Sequence, residues 1–209
     1  MAPRPRPPAD ARRSTAPRTL LIACGALARE VRALIDLNGW RDMRLTCLPA
    51  KLHNRPQLIP AAVRAKIRAN RARYERILVV YGDCGTGGEL DRVLAEEAVE
   101  RIAGPHCYAF YRGVATFLEE ADAEPGCFYL TDFLVRHFER LIIEGLGIDR
   151  HPELLPLYFG NYDKVVYLAQ TPDPALEQGA KAAALRLGLS YERRTTGYGE
   201  LADFLRRAG

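Results

Sequence analysis

The sequence predicts an α/β protein built on an open, mainly parallel sheet with helices on both faces, in a Rossmann-like arrangement. Three observations predict it. Short runs rich in Val, Ile and Leu alternate with longer segments whose apolar residues recur at helical spacing. Most of the early runs end abruptly in a turn, and a helical pattern follows. Strands buried on both faces of a parallel sheet read as continuous apolar runs, and Ile77–Tyr81 reads that way. The 209 residues suffice for one domain with a full core, and a hydrophobic content of 48% excludes a disordered chain.

Residues 1–18 are rich in Pro and Arg, lack apolar periodicity, and read as a tail ahead of a single α/β domain over 19–209. They hold five Arg and one Asp, so the formal net charge of +4 resides in them and the body is formally neutral. A neutral body does not indicate a nucleic-acid binder. Thr19–Ala23 is the first strand and Cys24-Gly25 its turn. Leu27, Val31, Leu34 and Ile35 form the apolar stripe of a helix that Asn38-Gly39 ends. Arg12-Arg13 ahead of Leu20–Cys24 mimics a secretory leader. The apolar run falls short of the roughly 7–15 residues a leader needs, and Arg29, Glu30 and Arg32 follow at once. No run approaches the roughly 20 apolar residues of a membrane span. The odd number of cysteines does not suit a disulfide framework, and the chain reads as cytoplasmic.

Met43–Leu48 is the second strand and Pro49–Pro56 a loop. Ile59, Val63 and Ile67 mark a helix whose Arg64, Lys66, Arg68, Arg71 and Arg73 read as a solvated basic face rather than a binding stripe. Ile77–Tyr81 is the third strand and Glu89–Ala98 a helix. Val99–Ala103 is a short strand and Gly104–Tyr108 a turn, after which Tyr108–Tyr111 reads as extended. Gly113–Ala121 is a helix and Cys127–Leu130 an extended run. Thr131 caps a long helix with Phe133, Leu134, Phe138, Leu141 and Ile142 on its apolar face. Asp149–Glu153 opens a short helix. Lys164–Ala169 is a strand, Pro174–Leu187 a helix stopped by Gly188, and Tyr191–Arg193 and Leu201–Arg206 a last strand and helix.

Ligands of open α/β sheets bind at the carboxyl edge of the strands. The turns there carry Cys24, then His53, then Asp83 with Cys84, then His106 with Cys107. Three thiols with an imidazole form a donor set for zinc, an iron–sulfur cluster or another soft metal, with Cys24, Cys84, Cys107 and either His106 or His53 as ligands. The separations are not those of a Cys-x-x-Cys knuckle. The same residues also read as a metal-free thiol enzyme acting on a small carboxylate or amine. Cys84 precedes a helix N-terminus that favours its thiolate, and Asp83 or a nearby His serves as base. Cys24 and Cys84 would then face one carbon from opposite sides. Gly85, Thr86, Gly87 and Gly88 offer backbone N–H groups to a phosphate or carboxylate of a cofactor, although no Gly-Lys-Ser/Thr is present. Asp132 is either a charge at a helix N-terminus or a catalytic carboxylate reaching the site. The plain alternative is that all five thiols are incidental; Cys47 and Cys127 read as core.

The segments Ala23–Leu27, Leu52–Pro56, Tyr81–Gly88, Gly104–Tyr108, Leu130–Leu134 and Tyr167–Gln170, in that order, resemble the domain of unknown function 1638 family from about residue 19 onward. The resemblance carries over at Cys24, His53, Asp83, Cys84, His106, Cys107 and Asp132 and implies no settled activity. Members are associated with corrinoid-dependent methyltransferases. The association implies a place in one-carbon metabolism; with the Cys/His donor set it gives a metal-binding enzyme or cofactor-handling protein in contact with a corrinoid and with the proteins of a methyltransferase system, or a non-catalytic accessory of such a system. A small-molecule ligand is expected; nucleic acid and membrane are not.

Overall fold

A computed structural model describes residues 18–209. The strands form two parallel sheets rather than one. The first contains β1 (Thr19–Cys24), β2 (Met43–Leu48), β3 (Arg76–Val80) and β4 (Glu100–Arg101), in the order β2-β1-β3-β4. The second contains β5 (Cys127–Thr131), β6 (Lys164–Ala169) and β7 (Ser190–Thr195), in chain order. Every pairing is parallel, so the α/β class stands, with the sheet in two parts. The tail expected over 1–18 lies outside the described residues except for Arg18. Its N–H donates to the Asp42 carbonyl (2.9 Å), and its own carbonyl accepts from Glu75 and Arg76 at the foot of β3.

The helices follow from apolar stripes that bury on these sheets. α1 (Ala28–Asn38), α2 (Ile59–Asn70), α3 (Glu89–Glu96) and α4 (Ala109–Arg112) give Val31, Ile59, Leu90 and Phe110 to the core of the first sheet. α5 (Val114–Ala123), α6 (Asp132–Arg136), α7 (Leu155–Phe159) and α8 (Pro174–Leu187) serve the second. α9 (Gly199–Ala208) returns to the first sheet with Leu201, Phe204 and Leu205. The basic run of α2 is partly committed: Arg68 and Arg71 both donate to Glu97, just past α3 (2.7 and 2.6 Å), and Arg64 pairs with Glu96. These ion pairs pin α2 to the neighbouring helix.

Three readings of the sequence need correction. Tyr108–Tyr111 is not extended, because Ala109–Arg112 closes a helical turn that Gly113 stops at φ 85°. The long helix after Thr131 is broken. Thr131 does cap α6, its Oγ1 accepting from the Leu134 N–H (3.3 Å), but α6 ends at Arg136 and a π-helical turn covers Glu139–Ile143. Such widened turns recur at functional sites. The short helix expected from Asp149 begins later, as a 3-10 turn over Pro152–Leu154 that leads into α7.

The chain passes between the sheets at Gly113 and again at Gly197–Gly199. The two crossings touch. A side chain at Gly199 would collide with the carbonyls of Phe110 and Tyr111, and one at Gly113 would meet the Glu200 carboxylate at 3.4 Å.

Candidate functional site

β1 and β3 pair directly, with Ala23 opposite Val80, so the turns that follow them share one edge. Cys24 closes β1. Tyr81-Gly82-Asp83-Cys84 leaves β3 and runs beside the turn after β4. The Asp83 N–H donates to the Gly104 carbonyl (2.9 Å) and the Cys84 N–H to the Pro105 carbonyl (2.7 Å). Gly82 permits this approach: a Cβ there would sit 2.7 Å from the His106 carbonyl carbon and 2.9 Å from the Cys107 nitrogen. With nothing between them, the Gly82 N–H points at Cys107 Sγ (3.4 Å), and the Sγ atoms of Cys84 and Cys107 lie 3.6 Å apart. Cys84 itself holds φ at 51°, a conformation costly for a residue with a side chain and common where function requires it.

Arg101 locks the two turns from below. It grips Asp91 through two hydrogen bonds (2.5 and 2.7 Å), and its third nitrogen donates to the carbonyls of Ile102 (2.9 Å), Tyr81 (3.3 Å) and Gly104 (3.4 Å). No sequence motif marked it.

Charge settles on Cys84. The Cys107 thiol, followed by His106 and His53, hydrogen-bonds it and outweighs burial, holding its pKa down to about 3. Cys107 is pushed well above the ordinary thiol range by Cys24, Cys84 and its own complete burial, so it keeps its proton as the donor. Cys24 is lowered, chiefly by Cys107 and against burial. One S–H cannot serve both neighbours at once, and Cys84 alone has two imidazoles as well. His53 is raised, first by its hydrogen bond to Cys84, and so favours the imidazolium form. The rings of His53 and His106 lie 6.4 Å apart, centroid to centroid. The result is a thiol held toward its thiolate form beside an imidazole drawn toward its protonated form, with a second thiol as auxiliary donor.

These groups floor a cavity of about 310 Å3 that reaches across to the second sheet. That sheet supplies Phe128 and Tyr129, and the segment after β5 supplies Phe133, Leu134, Leu141 and Ile142. The π-helical turn carries the last two. One side of the cavity is thus thiol, imidazole and phenol, and the other largely apolar. A stack joins the sides: His106 lies on Tyr108 (5.1 Å) and Tyr108 on Tyr129 (5.7 Å). Three buried polar atoms of the wall have no hydrogen-bond partner: the hydroxyls of Tyr81 and Tyr129 and Nδ1 of His106.

The other sequence candidates lie elsewhere. Asp83 is absent from the cavity wall and turns into its own loop, where its carboxylate accepts from the Thr86 hydroxyl and from the N–H groups of Gly87 (3.2 Å) and Gly88 (3.0 Å). Burial pushes it up, but these donors win and leave it below the usual carboxylate value. Gly85, Gly87 and Gly88 are all left-handed and, with Thr86, build that loop, which is not part of the cavity wall. Asp132 is buried beneath the wall. It accepts from the Tyr167 hydroxyl (2.7 Å), the Gln170 N–H (3.1 Å) and the Thr171 hydroxyl (2.5 Å), and so ties β5 to the end of β6. Cys47 is half-buried in β2, whereas Cys127, read as core, also lines the cavity.

Cys24, Cys84, Cys107, His53 and His106 therefore meet at one place. Their spacing does not make a ready-made cage: among the described residues, no group of three or more His, Cys, Asp or Glu side chains is arranged to hold a metal ion. The 3.6 Å between Cys84 and Cys107 nevertheless approaches the tetrahedral edge of about 3.8 Å that metal–sulfur bonds of about 2.3 Å would set.

Residues 47–205 match the model of a family described as protein of unknown function (DUF1638). The chain belongs to the DUF1638 family. The DUF1638 match encloses His53, Cys84, His106 and Cys107, while Cys24 lies ahead of it. No curated protein and no solved structure matches the chain.

Proposed function

We propose that Cys84 is the working thiolate of a metal-free enzyme acting on a small organic molecule. One observation carries this reading: a thiol and two imidazoles converge on Cys84 at the floor of a cavity too large for an ion alone. The thiolate adds its electron pair to an electrophilic carbon of the substrate. The π pair of that carbon moves to its heteroatom, and the imidazolium of His53 supplies the proton that the heteroatom takes up. Cys107 holds the charge on Cys84 until then. Asp83, bound to its own loop, takes no part.

A second reading is favoured by the Cys84–Cys107 spacing. In that reading Cys24, Cys84 and Cys107 with His106 or His53 would rearrange to hold zinc, another soft metal or an iron–sulfur cluster. Such a centre would supply Lewis acidity or electron transfer. A place in one-carbon metabolism beside a corrinoid methyltransferase system rests on family association. The cavity volume suits a small molecule, so a corrinoid contact would be made at the surface or through a partner protein. All five cysteines are free, which supports a reducing, cytoplasmic setting. Among the described residues, no helix is long and apolar enough to cross a membrane.

Alkylation of the reduced protein with iodoacetamide, mapped by mass spectrometry, tests the first reading. Cys84 should react before the other four cysteines, at a rate nearly constant over about pH 5–8, where an ordinary thiol slows about tenfold per unit of acidification. A Cys84 no faster than Cys47 would defeat it. Elemental analysis of protein purified without oxygen tests the second. Stoichiometric metal lost in Cys24→Ser, Cys84→Ser and Cys107→Ser, but kept in Cys47→Ser and Cys127→Ser, would put the metal reading first.

A further inference from the structure

We infer that the cavity takes a small carboxylate, bound through the Tyr129 hydroxyl with its apolar portion against Phe133, Leu134 and Ile142. This rests on the reading of Cys84 as the working thiolate and names the class of molecule presented to it.

The cavity wall contains no Asp, Glu or Arg. Lys51, on the 3-10 turn Ala50–Asn54 that also carries His53, is the one permanently charged side chain in it. The Cys84 thiolate is already paired with His53, so an ammonium would find no free anion there, whereas an anion finds the Lys51 cation at the rim. The unpartnered groups point the same way. Tyr81 is 1% and Tyr129 9% exposed, and both hydroxyls lack a partner. Burial is the main cause pushing the Tyr129 phenol up, which keeps its proton in place as a donor, whereas Tyr81 stands against the Cys24 sulfur. A buried donor without an acceptor costs about 1–3 kcal/mol, a cost that a bound acceptor removes. The unpartnered Tyr129 phenol calls for an acceptor, and a carboxylate offers two oxygens with about four lone-pair sites.

Tyr129 is the anchor rather than Tyr81 because of where it stands. It comes from the second sheet, across the cavity from Cys84, and its ring is fixed against Tyr108 and Phe117 (5.7 and 5.0 Å). A group bound there would place the rest of a short molecule over the thiolate. By the share of volume a water takes in its liquid, about 310 Å3 holds on the order of ten non-hydrogen atoms. That is the size of a carboxylate with a short chain or one ring.

Three probes of one shape test the charge: benzoate, benzamide and benzylamine. Each is added to the full chain, and two quantities are followed, the thermal midpoint and the protection of Cys84 from iodoacetamide. Benzoate should raise the midpoint and protect Cys84 at lower concentration than benzamide, and benzylamine should do neither. Tyr129→Phe keeps the ring stack and removes only the hydroxyl. It should weaken benzoate about ten- to hundredfold, the worth of one hydrogen bond to a charged group. Lys51→Met should narrow the gap between benzoate and benzamide. Benzylamine as the best probe, equal effects of all three, no shift with benzoate, or unchanged benzoate affinity in Tyr129→Phe would each overturn the inference. The midpoint needs no reactive thiol, so a Cys84 that fails to react selectively sinks the thiolate reading while the ligand class is still decided.

Discussion

Cys107 acts on the site by staying neutral. Its proton sits between two other sulfurs, and burial together with those neighbours keeps it there. Cys107→Ala should therefore raise the Cys84 thiol, whose largest stabiliser is lost. The thiolate exists above the thiol's pKa, so raising that value moves its loss to higher pH. The iodoacetamide rate at Cys84, flat in mild acid for the native protein, should then fall as the pH drops. A profile unchanged by the substitution would assign the depression to the imidazoles alone. At this scale the sequence was readable where a reactive residue closes a strand, as Cys24 does, or lies in the turn beyond one, as Cys84 and Cys107 do. It misled at Asp83, whose short carboxylate is consumed by the N–H groups of its own glycine turn. Arg101 and Tyr129 carried no signal, because an arginine or a tyrosine in a strand has no motif to announce its partners.

At the scale of elements, α1 carries a penalty. Glu30 is buried at the junction of the sheets, and its Oε2 has no partner. Burial, and then the nearby Asp132, push its carboxyl above the ordinary range. For an acid raised in the folded state, the folded form binds the proton more tightly than the unfolded one. Stability therefore falls as the pH rises from the ordinary carboxylate value through the raised one, and the penalty is complete only above the raised value. Glu30→Gln should raise the thermal midpoint at neutral pH and lessen that fall; a lower midpoint at every pH would mean that the charge is held by a partner. The apolar stripe from Phe133 to Ile142 shows why element boundaries were less readable. The same five residues fit one continuous helix or a short helix followed by a wider turn. The wider turn presents Leu141 and Ile142 to the cavity while burying Ile143, an arrangement that the spacing of apolar residues does not distinguish from a regular helix.

Across the whole molecule, strand and helix alternation was legible, and the division of the sheet was not. Apolar runs report burial, and they do not say which run lies beside which. β4 is only two residues long and pairs with β3 alone, so the first sheet stops there and β5 starts another. The cavity lies across that gap. At the two places where the chain spans the gap, Gly199 is enclosed by the Phe110 and Tyr111 carbonyls at φ 45°. Gly199→Ala should cost about 1–3 kcal/mol, read as a lower thermal midpoint, since it adds both a clash and a left-handed strain. Mechanically, two connectors that meet at one spot behave as a single pin. Together with the Tyr108–Tyr129 stack they hold one half against the other at two separate places. The orphaned phenol of Tyr129 and the sulfur of Cys84 belong to different sheets, so a molecule gripping both would act as a third fastening between the halves.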